Sequence, residues 1–108
     1  MIAFILSVFF LMQSDAPAPR VVEITAKRFE FNPKQVTLKR GETVTIRLVT
    51  LDRAHGLLVK PLGVDLDADA GKPGQITITP QDAGTFNAIC DHYCGSGHGG
   101  MKMTVVVE

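Results

Sequence analysis

From Val22 onward, apolar and polar residues alternate in short runs. Val22, Ile24 and Ala26 alternate with Glu23, Thr25 and Lys27, the period-two pattern of a half-buried strand. Phe29-Glu30-Phe31-Asn32-Pro33 follows, where alternation sets both rings on one side and the proline ends the run. Val36 and Leu38 share a face before the turn Arg40-Gly41-Glu42, and Val44, Ile46 and Leu48 alternate with Thr43, Thr45 and Arg47. Later, Ile76 and Ile78 alternate with threonines, and Pro80-Gln81-Asp82-Ala83-Gly84 makes a turn. Phe86, Ala88 and Cys90 share a face, and Met103 to Val107 forms a last strand. Short strands at a spacing of roughly ten residues predict an all-β sandwich or barrel. No stretch combines helical periodicity with caps, and there is no internal repeat.

The start of the chain breaks this pattern. Met1 to Met12 is apolar except for Ser7, too short for a helix that needs about 20 residues to cross a bilayer. It has the length of a signal-peptide core but no positively charged residue ahead of it. Residues 1–14 therefore read as a signal peptide or a shortened membrane anchor, and 15–20, with Ala16-Pro17-Ala18-Pro19, as a proline-stiffened linker. That leaves 21–108 as one domain. Either reading of the N-terminus puts that domain outside the cytoplasm, in the periplasm or on the outer face of the membrane.

Charge adds an exclusion. Lysine plus arginine count 11 and aspartate plus glutamate 11, so the formal charge is zero, and no basic stripe appears in the sequence. With one tyrosine and no tryptophan there are few stacking surfaces, and nucleic acid is not the expected partner.

The candidate chemistry is concentrated in Cys90-Asp91-His92-Tyr93-Cys94-Gly95-Ser96-Gly97-His98-Gly99-Gly100-Met101. Thiolates and a thioether are soft ligands, and imidazole suits copper. Glycines around His98 let the backbone fold tightly enough for near neighbours to converge. His55, in Asp52-Arg53-Ala54-His55-Gly56, supplies an imidazole from a different element. Simpler readings exist. Cys90 and Cys94 can form a disulfide in an exported domain; with His55 and His98 they can make a tetrahedral zinc site; Met101 alone would be core filling. Zinc has no use for a thioether, however, and a disulfide has none for flanking histidines. The joint set favours copper. His55, Cys94, His98 and Met101 suffice for a mononuclear blue copper site, with Cys90 left over. A second thiolate at Cys90 allows two thiolates to bridge two copper ions. Such a pair shares the transferred electron, so each metal changes charge by about half and its surroundings move little.

The spacing Cys90, Cys94, His98, Met101 resembles the CuA domain of heme-copper (cytochrome c) oxidase subunit II, within the cupredoxin superfamily. His55 matches that family's remaining imidazole, and Phe29-Glu30-Phe31-Asn32-Pro33 resembles the first block of many cupredoxins. His55-Gly56 and Cys94-Gly95-Ser96-Gly97-His98 are closest to the ba-type branch. The resemblance implies a cupredoxin-like Greek-key β-sandwich or barrel behind a short N-terminal hydrophobic segment. It implies two copper ions bridged by Cys90 and Cys94. His55 and His98 would each bind one copper, with Met101 a weak ligand to one and the backbone carbonyl of His92 a weak ligand to the other. The family usually has Glu or Gln where this chain has His92, and many members use tryptophan to receive electrons from cytochrome c, which this chain lacks.

The function this implies is one-electron transfer, from a donor such as cytochrome c or another cupredoxin toward oxidase subunit I, with membrane association through the N-terminus. No nucleophile and base pair suggests catalysis within the domain itself. The alternatives are a copper chaperone or storage protein for oxidase assembly, and a mononuclear blue copper carrier. The thioredoxin fold of some copper chaperones needs alternating strands and helices, which this pattern does not offer.

Overall fold

The computed structural model describes residues 19–90 and 101–108. Nine strands form two sheets: β1 (Arg20–Lys27), β2 (Glu30–Asn32), β3 (Gln35–Leu38), β4 (Val44–Thr50), β5 (His55–Val59), β6 (Val64–Ala68), β7 (Gly74–Ile78), β8 (Gly84–Ile89) and β9 (Lys102–Val107). One sheet runs β2-β1-β4-β7 and the other β3-β9-β8-β5-β6. Among the described residues no helix is long and apolar enough to cross a membrane.

The alternation seen in the sequence becomes the core between the sheets. Ile24 and Leu48 are register partners on β1 and β4, and both are buried. Val36 and Leu38 on β3 lie beside Val105 and Val107 on β9, all four buried. Threonine hydroxyls add cross-strand links. Thr45 and Thr77 join across β4 and β7 through their hydroxyls at 2.8 Å, and Thr43 and Thr79 do the same. The all-β expectation holds.

Two pairings are non-local and parallel, β1 with β4 and β3 with β9. The sequence pattern names strands but not partners, so these were not legible from it. Nor was the β5–β6 hairpin. Its strands are joined by a short 3-10 turn at Lys60–Leu62, closed by Gly63 in the left-handed conformation at φ 71°. Leu57-Leu58-Val59 is a continuous apolar run and carries no alternation to read. One local expectation fails. Phe31 is fully buried, but Phe29 is 42% exposed, so the two rings do not share a side. The alternation stops because β2 begins only at Glu30, and Phe29 lies in the turn before it.

On one side the two sheets approach closely. A Cβ built on Gly74 of β7 would lie 2.3 Å from the carbonyl oxygen of Asp67 on β6. Only a residue without a side chain fits there.

Candidate metal centre

Three of the expected ligand residues meet one end of the sandwich from neighbouring strands. His55 is the first residue of β5, Cys90 directly follows β8, and Met101 directly precedes β9. β8 lies between β9 and β5, with Ile89 opposite both Lys102 and Leu58. The backbone N–H of Cys90 donates to the carbonyl of Met101 at 3.3 Å, extending the β8–β9 ladder to the base of the loop that holds residues 91–100. Cys90 and Met101 are 5% and 1% exposed, so both sulfurs belong to the interior. His92, Cys94 and His98 lie outside the described residues. Among those described, no three His, Cys, Asp or Glu side chains cluster as a metal site.

His55 carries the clearest signal. Its side chain is completely buried, a costly position for an imidazole without partners. Nε2 sits 2.7 Å from Oδ1 of Asp52. An ionised carboxylate only accepts, so Nε2 must carry the proton and donate. Nδ1 is buried and has no hydrogen-bond partner among the described residues. In the neutral ring it is a bare lone pair, the form that binds a metal.

Asp52, the partner of His55, is a residue that sequence reading did not single out. Its carboxylate takes the backbone N–H of Arg28 at 2.8 Å on Oδ2, and that of Arg53 at 2.7 Å on Oδ1, the oxygen that also holds His55. Burial pushes its pKa up, but the hydrogen bonds from Arg28, His55 and Arg53 outweigh that and hold it at about 2, against an ordinary 3.8. Thr50, buried at the end of β4, donates its hydroxyl to the carbonyl of Arg53 and fixes the same loop. An aspartate three residues before a histidine reads in sequence as an ordinary turn residue, because the Arg28 contact comes from another loop.

A copper ion fits this donor set. The thioether of Met101, the thiolate that Cys90 would offer once reduced, and a His55 ring nitrogen with no hydrogen-bond partner among the described residues are what copper accepts. Cys90 is disulfide-bonded in this structure, and Cys94 is the only other cysteine in the chain. A thiolate ligand at Cys90 therefore requires prior reduction.

Known proteins share this fold. The chain is 26% identical over 92 residues to the cytochrome c oxidase subunit 2 of Thermus thermophilus, covering 85% of this chain and 68% of that one. Among solved structures it is similar to the periplasmic domain of subunit II of cytochrome oxidase from Bradyrhizobium japonicum, with a TM-score of 0.76, 16% identity and 86% of each chain covered. It is also similar to a chain of a heme-copper terminal oxidase dimer, with a TM-score of 0.74 and 23% identity, covering 82% of this chain and 65% of that one. The fold expected from the resemblance is the fold observed. Matched over residues 1–107, the chain belongs to the family of cupredoxin-like domains.

Proposed function

We propose that this protein is a copper-dependent one-electron carrier with a dinuclear CuA-like centre, working as a subunit II-like relay toward a terminal oxidase. The observation that carries the reading is the buried Nδ1 of His55, without a hydrogen-bond partner among the described residues while Nε2 is tied to Asp52. The likeness to cytochrome c oxidase subunit 2 of Thermus thermophilus supports it. When bound, copper supplies a one-electron couple. His55 on β5, and Cys90 and Met101 beside the ends of β8 and β9, are buried, so little around them has to move when charge changes.

His55, Cys90, Cys94, His98 and Met101 are the side-chain ligands in this reading, with the carbonyl of His92 as the remaining weak one. An electron donor such as cytochrome c or another cupredoxin, and oxidase subunit I as acceptor, are the partners. The domain works outside the cytoplasm, where residues 1–14 export it or hold it at the membrane.

Reduction of the protein with a dithiol, addition of copper and removal of the excess test this directly. Two coppers per chain sharing one unpaired electron in spin resonance are expected. One copper with a blue-type spectrum, or a fully reduced protein that takes up none, would overturn the dinuclear reading.

A further inference from the structure

We infer that Asp52 is a positioning residue. It locks His55 as the Nε2–H tautomer and so keeps Nδ1 as the lone pair that a metal takes. The metal part of this inference rests on the function proposed above; the tautomer part does not.

Three observations support it. The 2.7 Å contact joins an acceptor-only carboxylate oxygen to Nε2, which leaves no room for the opposite tautomer. The carboxylate is itself held by the Arg28 and Arg53 backbone N–H groups, so it cannot turn away without leaving both unpaired. The ring, in turn, is completely buried, and its second nitrogen meets no hydrogen-bond partner among the described residues. An exposed turn residue with only a structural task would have no reason to face a buried imidazole. A carboxylate behind a ligating histidine also raises the basicity of the ring and orients it.

The turn that contributes Arg28 extends the device across the fold. Arg28 lies between β1 and β2, in the other sheet from His55. Leu51 N–H donates to the Ala26 carbonyl at 2.9 Å and pins the Asp52 loop to the same strand end. The orientation of His55 is therefore set from both sheets at once.

The test compares the wild type with Asp52→Ala and Asp52→Asn, each checked for folding by thermal melting. Nitrogen–proton correlation spectra of the reduced, metal-free proteins read the tautomer of His55, and competition titration with Cu(I) reads metal affinity. The wild type is expected to show the Nε2–H tautomer alone. Asp52→Ala is expected to mix the two tautomers and to weaken copper binding by about 10- to 100-fold. Asp52→Asn keeps an oxygen acceptor, so it should keep the tautomer while losing part of the affinity, and it carries the test if the alanine variant does not fold. A purely structural residue would lower the melting temperature in both variants and move neither readout. An Nδ1–H tautomer in the wild type overturns the inference, as do folded variants with unchanged tautomer and unchanged affinity. A wild type that shows the expected tautomer, loses it in Asp52→Ala and binds no copper overturns the copper reading while upholding the positioning one.

Discussion

Gly74→Ala offers a sharp test of how the two sheets hold the end of the sandwich at His55. The added Cβ would sit 2.3 Å from the Asp67 carbonyl oxygen, and that neighbour is backbone. Restoring an ordinary contact of 3.4 Å requires β6 and β7 to part by about 1.1 Å, the difference between the two distances. Forcing one extra methyl into a packed position costs about 1–3 kcal/mol. For a domain of this size that corresponds to a fall in melting temperature of about 5–15 °C. The displacement should also reach the site, because Asp67 is the register partner of Gly56 and Ala68 that of His55. Urea unfolding of the metal-free protein measures the first effect, and the backbone amide shifts of His55 and Gly56 the second. Gly63→Ala is the control. It has open space but a left-handed φ of 71°, so it should cost about 1 kcal/mol and leave His55 undisturbed. A Gly74→Ala protein as stable as the wild type, or one destabilised with no shift at His55, would refute the steric argument or its transmission along β6.

Other perturbations have equally definite outcomes. Phe31→Ala empties a fully buried ring position and should destabilise the domain by about 3–5 kcal/mol in urea unfolding, whereas Phe29→Ala, at a 42% exposed ring, should cost far less. The folded pKa of Asp52 lies below its ordinary value, so its stabilisation is complete above about pH 4 and is lost as pH falls through about 2. Because the side chain is 33% exposed, screening reduces this to about 1–2 kcal/mol. Acid titration of the metal-free protein should show that loss, and Asp52→Ala should not. Cys90→Ser should collapse a dinuclear centre, read as copper per chain falling below two, but should leave a mononuclear one intact.

How much of this could be read from the chain depends on the range of the interaction. Val44, Ile46 and Leu48 announced β4 because alternation is a local consequence of the pleat, and the burial of all three follows from it. β6 alternates as well, as Val64, Leu66 and Ala68 against Asp65 and Asp67, yet its partner strand does not, and the hairpin stayed hidden. Phe29 misled because a period-two pattern says nothing about where a strand starts. In the site, the type and spacing of Cys90 and Met101 pointed to their chemistry, and both prove buried at the ends of adjacent strands. Asp52 could not be found this way. Its role depends on a backbone N–H 24 residues away and on a ring nitrogen whose need for a partner appears only on burial.

The parallel pairing of β3 with β9 has a consequence for the order of events in the life of this protein. β3 is made early, and its ladder partner arrives only with the last strand described. β9 also separates β3 from β8, so the larger sheet stays in two pieces until β9 is present. A chain emerging vectorially must therefore hold β3 without this partner until β9 has emerged, and such non-local closure is slow. Met101 stands at the foot of that same strand. In the copper reading proposed above, completion of the sheet and delivery of the thioether become one event, and a partly emerged chain offers metal ions no finished place to bind.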